Sequence, residues 1–177
     1  LLWFSAKLVE EQWLAAAVGA FLLLNIQPIV LAFEFFVMLP WVNRGDPAPK
    51  PSVAQLLRAW WRESLTAHEV FSWQQPFAAQ RHADTIDAAQ PGQRALVLVH
   101  GFFCNRGVWN RWAPALRAAG VPHVAITMEP PFDSIDSYAP IIDAAIERAM
   151  RATGLAPVVV GHSMGGLAIR AWWRTQG

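Results

Sequence analysis

The sequence predicts an α/β domain with a parallel sheet, standing behind an apolar N-terminal helix. Two observations carry this. From Arg94 onward, short apolar runs alternate with amphipathic stretches in the order β-α-β-α-β-α, the pattern of parallel strands joined by right-handed crossovers. Between Trp13 and Leu39, by contrast, only Asn25, Gln27 and Glu34 are strongly polar, and about 20 such apolar residues are enough to cross a bilayer.

The strands are justified first. Ala95–Val99 is apolar throughout instead of alternating, as expected of a strand covered on both faces. Val124–Thr127 and Val158–Val160 read the same way. Between them, a helix over Asn110–Ala119 stops at Gly120, a residue suited to the left-handed position that ends helices. A second helix carries the stripe Ile141, Ile142, Ala145, Ile146 and Ala149, is capped by Asp136 or Ser137, and ends near Gly154. A third spans Gly165–Arg174. Ligands of such sheets bind at the C-terminal ends of the strands.

The N-terminal third divides into residues 1–42, a membrane segment with its span over about 13–40, and residues 43–70, a proline-rich linker followed by an amphipathic helix. At 1.5 Å per residue, a helix from Trp13 to Trp41 reaches roughly 42 Å, about a bilayer with its headgroups. Its terminal tryptophans are placed as interface anchors. Pro28 should kink it, with neighbouring helices satisfying the freed carbonyl. Leu1–Phe4 reads as the tail of an earlier span. Arg44, Lys50, Arg58 and Arg62 follow the span, against Lys7, Glu10 and Glu11 before it, so the domain that follows is expected on the cytoplasmic side of the membrane.

Asn43–Pro51 is the stiff linker. Ser52 and Gln55 form a capping box for the next helix, which places Leu56, Leu57, Trp60 and Trp61 on one face. That face lies either on a membrane surface or on the core of the domain. The α/β domain occupies residues 71–177. Its first part, 71–94, is weakly patterned, with short strands expected at Phe71–Trp73 and Phe77–Arg81.

Composition narrows the function classes. Net charge is +1 and charged residues are 15% of the 177, against roughly 25% in ordinary soluble domains, so nucleic acid is not an expected partner. The apolar fraction of 54% and ten tryptophans point to lipid or a large core. A lone cysteine, Cys104, can form no internal disulfide and is read as a small buried hydrophobe. Glu129, Asp133 and Asp136 are read as turn and cap residues; no metal and no cofactor is expected.

The chemistry gathers around Gly161-His162-Ser163-Met164-Gly165. It follows an apolar strand and opens a helix, the strand-turn-helix setting in which a serine can stand exposed on a tight, strained turn. The flanking glycines allow close backbone approach. Met164 N–H, at the start of the helix, is one donor for an oxyanion. The second comes from the loop after Ala95–Val99, which reads His100-Gly101-Phe102-Phe103. Phe102 N–H is the choice; a one-residue shift would substitute Phe103. Either phenyl side chain can also line an acyl pocket.

These residues, His100-Gly101-Phe102 and Gly161-His162-Ser163-Met164-Gly165-Gly166, resemble the α/β-hydrolase superfamily and its bacterial lipase and esterase branch. The likeness covers about residues 94–177, the N-terminal half of such a fold. It implies a Ser-His-Asp triad, in which Ser163 attacks an ester carbonyl and water releases the acid from an acyl-enzyme. The family places acid and base after the serine. Leu167–Gly177 holds neither, so both are expected in a missing C-terminal part and the fragment alone is expected to be inactive.

His100 is expected to be a structural hydrogen-bonder. His162 occupies the variable position of the turn and points away from Ser163. His68, His82 and His123 are expected on the surface, and Asn105 and Arg106 are given no catalytic role. The expected function is a membrane-anchored serine hydrolase acting on small esters with an apolar acyl part, beside membrane lipid. Two readings stay open: an acyltransferase or thioesterase using the same serine, and a hydrolase-like membrane module without turnover.

Overall fold

The computed structural model describes residues 13–176. The reading of Leu1–Phe4, and the charges at Lys7, Glu10 and Glu11, fall outside them. The chain forms two compact units, one up to His68 and the other from Glu69 onward.

In the first unit, helix α1 spans Trp13–Phe33. It runs through Pro28, and the break from regular α geometry comes later, in a π-helical segment Glu34–Met38 followed by a turn at Leu39–Val42. There the Leu39 N–H reaches five residues back to the Glu34 carbonyl. Pro40, with no N–H to return to Phe36, follows at once. Among the described residues one helical run, Trp13–Gly45, is long and apolar enough to cross a membrane. Its large side chains from Trp13 to Trp41 are mostly exposed, and the Arg44 guanidinium lies 5.7 Å from the Trp41 ring centre.

Helix α2, Val53–Ala67, opens on a complete capping box. The Ser52 N–H donates to Gln55 Oε1 at 2.8 Å, and the Gln55 N–H donates to Ser52 Oγ at 3.3 Å. The expected apolar face is split: Leu56 and Trp60 are half-buried in line with buried Ser64 and Ala67, while Leu57 and Trp61 are exposed. α2 also repairs α1. Without an N–H, Pro28 leaves the Leu24 carbonyl without its helical donor. His68 Nε2 supplies one at 2.6 Å, and Trp60 Nε1 donates to the Pro28 carbonyl at 2.8 Å. His68 is therefore no free surface residue; its Nδ1 also faces the Ser64 carbonyl, at 2.9 Å.

In the second unit, the strands expected at Phe71–Trp73 and Phe77–Arg81 are not formed. A π-helical segment over His68–Gln74 and a helical turn at Gln75–Phe77 occupy that stretch. Val70, Gln74 and Gln75 turn inward, a spacing that helix provides and alternating strand does not.

The sheet has the order β2-β1-β3, with β1 Leu96–Val99, β2 His123–Ala125 and β3 Val158–Gly161, all parallel. β1 carries Val97 and Val99 on one face and Leu98 on the other. The first face packs with Ile142, Ala145, Ile146 and Ala149 of α4, Ala139–Thr153, and with Ala168 of α5, Met164–Gln176. Leu98 packs with Ala125 and Trp109, beside the 3₁₀ turn Arg106–Arg111 that leads into helix α3, Ala113–Ala118. α3 closes toward Gly120 at φ +66° and α4 at Gly154, φ +72°, where the left-handed backbone favours glycine.

Neither Asp136 nor Ser137 caps α4. Ser134 Oγ accepts the Asp136 N–H at the head of a 3₁₀ turn, Ile135–Tyr138, and α4 opens behind it with Pro140 in its first turn. His123 is buried at 1% exposed, a second correction. A segment lying along the outer edge of β2 covers it: Thr85 N–H donates to the His123 carbonyl, the His123 N–H to Thr85 Oγ1 and the Ala125 N–H to Asp84 Oδ1. That segment is anchored by Asp84, whose carboxylate, 12% exposed, bridges Arg106 at 2.8 Å and Arg148 at 3.0 Å.

Candidate active site

The strand order puts the site where a crevice must open. From β1 the chain crosses to β2 on one side and β3 lies on the other, so the connections leaving β1 and β3 part at their C-terminal ends. The loop after β1 holds His100-Gly101-Phe102-Phe103, and the turn after β3 holds His162-Ser163-Met164.

Ser163 sits at φ +52°, in the left-handed region, and is exposed. Such a conformation is costly for a residue with a side chain and clusters at functional sites. Hydrogen bonds hold the turn in place: His162 N–H to the Val99 carbonyl, Gly165 N–H to the His162 carbonyl and Gly166 N–H to the Ser163 carbonyl, each 2.9 Å.

The glycines are required sterically. A Cβ on Gly165 would stand 2.5 Å from the His100 carbonyl oxygen and 2.6 Å from that of Val99; one on Gly161 would meet Ile169 Cδ1 at 2.6 Å and Gly166 N at 2.8 Å. The helix start is thus pressed against the end of β1. A Cβ on Gly101 would lie 2.9 Å from His162 Nδ1 and 3.1 Å from Ser163 Cβ. The His162 ring accordingly lies over Gly101.

His100 is 2% exposed, and both of its ring nitrogens are committed. Nε2 lies 2.9 Å from the Met128 N–H and must accept it. Nδ1 therefore carries the proton and donates to the Gly101 carbonyl at 2.8 Å. Burial lowers the pKa of this imidazole, outweighing the opposing pull of the Gly101 hydrogen bond and the Glu129 charge. A buried neutral histidine with both nitrogens occupied is not free to take a proton from Ser163.

Among the described residues, no acceptor engages the N–H of Phe102, Phe103 or Met164, and Ser163 Oγ has no hydrogen-bond partner. Two backbone donors of the loop after β1 and one at the start of α5 thus stand unused. No histidine or carboxylate from this part of the chain reaches Ser163.

A cavity of about 530 Å³ opens beside these groups. Gly101, Phe102, Phe103 and Met164 line it, with Ser163 exposed at the adjoining position. Sequence reasoning missed the rest of its lining: Met128, Glu129, Pro131 and Phe132 from the loop after β2, Tyr138 from the 3₁₀ turn behind it, and Phe71, Gln75 and Pro76 from the helical stretch before the sheet. Phe132 could have been suspected only from its place after a strand. Its ring packs edge-on with Phe102 at 5.5 Å and Phe103 at 5.1 Å, and those two pack at 5.1 Å. Phe103 and Phe132 both have positive φ, +58° and +68°.

Cys104 lines the cavity half-exposed, and burial pushes its thiol pKa up, which lowers its nucleophilicity. Among the described residues no three His, Cys, Asp or Glu side chains are grouped to hold a metal ion. Asp133 Oδ1 accepts the Ser134 N–H, and Asp136 pairs with Arg174. Asn105 Oδ1 accepts the Gly107 N–H, so it shapes the loop after β1.

Residues 96–175, somewhat under half of the chain, match the model of a family described as the alpha/beta hydrolase family. The match runs from β1 through α5 and supports placement of this segment in the α/β-hydrolase superfamily, most of whose members are hydrolytic enzymes. Searches of curated proteins and of solved structures found no match.

Proposed function

We propose that the protein is a membrane-anchored serine hydrolase that cleaves carboxylic esters through an acyl-enzyme on Ser163. The observation that carries this reading is the left-handed backbone of Ser163, φ +52°, on a turn pressed against the end of β1. A strained conformation at an exposed serine has no role in packing. It does present the hydroxyl to a substrate carbonyl.

In the proposed reaction Ser163 Oγ adds to the ester carbonyl as its proton passes to a general base. The carbonyl oxygen becomes an oxyanion facing the Met164 N–H and the N–H of Phe102, with Phe103 as the neighbouring donor. The tetrahedral species collapses to the acyl-enzyme and expels the alcohol, and water then reverses the sequence to free the acid. The phenyl-rich wall suits an apolar acyl part. Anchoring is supported by the exposure of α1: a buried core helix hides its apolar side chains, whereas those of α1 face outward.

A fluorophosphonate probe applied to the full-length protein tests the assignment. Labelling is expected on Ser163, located by mass spectrometry of the modified peptide. Labelling that persists in Ser163→Ala would overturn it.

A further inference from the structure

In a helix that crosses a bilayer from Trp13 to Trp41, Pro28 stands midway. The contacts that α2 makes with α1 fall around that point. Trp60 donates to the Pro28 carbonyl, its ring packs edge-on with Phe36 at 6.4 Å, and His68 meets the Leu24 carbonyl. α2 therefore doubles back along α1, from the level of Phe36 to that of Leu24.

A crossing α1 would strand the chain. At 1.5 Å per residue, Leu24 would lie roughly 16 Å inside the Trp13 interface and roughly 25 Å inside the other. α2 has 15 residues, against the about 20 apolar residues needed to cross, so it cannot return on its own. The chain would thus stop in the hydrocarbon at His68. Glu69 follows at once and pairs with Arg111, and an exposed ion pair is costly at such depth.

The side chains point the same way. Arg58 and Arg62 stand one turn apart on α2, both exposed, on the face opposite Trp60. Beside a crossing α1 they would project into acyl chains, where a guanidinium is costly. The apolar surface lies elsewhere. Leu22, Ile26, Val30, Phe33 and Val37 recur every three or four residues along α1, each about half exposed, and none of them bounds the groove against α2. Leu57, Trp61 and Leu65, four residues apart, carry exposed apolar surface along one flank of α2. An apolar underside, a flank of leucine and tryptophan and a cationic top describe an element that lies in the plane of a membrane interface.

Granted the membrane-anchored reading, on which this rests, we infer that α1 and α2 form a hairpin held in one leaflet of a phospholipid bilayer. It enters and leaves by the same face, with the stripe from Leu22 to Val37 in the acyl chains and Arg58 and Arg62 among the headgroups. The chain before Trp13 and the chain after Ala67 then lie on one side of the membrane.

The test uses the full-length protein in membranes of the cells that produce it, prepared as right-side-out and as inside-out vesicles. A membrane-impermeant maleimide is applied to single-cysteine variants in a Cys104→Ser background: Glu11→Cys before α1, Ala48→Cys in the linker and Arg62→Cys on α2. All three are expected to react in the same preparation and to be protected in the other. Glu11→Cys and Ala48→Cys reacting in opposite preparations would mean that α1 crosses; this overturns the hairpin while the anchored reading stands. Arg62→Cys protected in both preparations places α2 in the hydrocarbon and equally overturns it. Should a variant not fold, the wild type carries its own markers. Trypsin on intact vesicles should cut after Lys7 and after Arg44 in one and the same preparation, and cuts in opposite preparations overturn the hairpin. Release of the protein from the vesicles by alkaline carbonate overturns the anchored reading itself, and the hairpin with it.

Discussion

His100 Nε2 accepts the Met128 N–H at 2.9 Å and so ties the loop after β1 to the loop after β2. The same ring holds the Gly101 carbonyl through Nδ1. Replacing His100 with Ala strands a buried donor and a buried acceptor, each worth about 1–3 kcal/mol. A loss of about 3 kcal/mol is expected in urea denaturation, with slower fluorophosphonate labelling of Ser163 as the loop loosens.

The pH dependence follows from the same residue. Burial holds the folded pKa of His100 below its unfolded value near 6.5. Between the two values the unfolded chain binds the extra proton, so the contribution of neutral His100 is complete above about pH 6.5 and declines as pH falls through the folded pKa. Denaturation midpoints measured from pH 7.5 to 5 should drop, and His100→Gln should flatten the slope. A slope unchanged by that substitution contradicts the assignment.

The three glycines of the serine turn should respond in opposite directions. Gly165→Ala forces a methyl against two backbone carbonyl oxygens and should destabilise by at least about 2 kcal/mol, as overpacking commonly does. Nothing stands within 4 Å of a Cβ on Gly166. There, alanine should stabilise α5 by up to about 1 kcal/mol, the helix-propensity difference. Gly161→Ala is expected to destabilise as Gly165→Ala does, since beyond the flexible end of Ile169 its methyl would meet the backbone at Gly166 N, 2.8 Å away, and at Gly165 C, 2.9 Å away. Thermal denaturation of the three variants ranks them.

Ser163 provides a test that separates strain from chemistry. Glycine accepts φ +52° without the steric cost of a Cβ, about 1–2 kcal/mol for an L residue, and gives back part of that in chain entropy. Ser163→Gly should therefore melt higher than Ser163→Ala while neither is labelled by the probe. Equal melting temperatures would mean that the turn carries no such strain.

Asp84 links the cover of β2 to the sheet and to α4. Removing the carboxylate in Asp84→Ala leaves Arg106, whose side chain is 14% exposed, beside an empty partner position. A loss of about 3 kcal/mol is expected, the range for a broken buried pair. Exposed Asp87, which shares Arg148, should cost under about 1 kcal/mol when replaced by Ala.

The parts of this fold legible in the sequence are those set by local pattern. The three strands are unbroken apolar runs, Gly120 and Gly154 mark where helices close, and Ser52 with Gln55 announces α2. The serine turn is legible because its glycines answer to backbone contacts within a few residues and to β1. What escaped depends on distant partners. Phe71–Trp73 looks like strand by its aromatic content, but burial of Val70, Gln74 and Gln75 selects helix. His123 looks like an exposed histidine until Thr85, 38 residues earlier, pairs with it at 3.0 Å. Gln75 faces the loop after β1 across 30 residues of chain, and no pattern near it reports that meeting.

The cover that Asp84 and Thr85 place along β2 has a directional consequence. With those backbone groups already occupied, the sheet is closed to growth on that side. Among the described residues β3 pairs on one side only, and Val158 there is 45% exposed. Any strand that joins this sheet, whether from the same chain or from another, is thereby steered to the β3 flank, beside the turn that carries the serine.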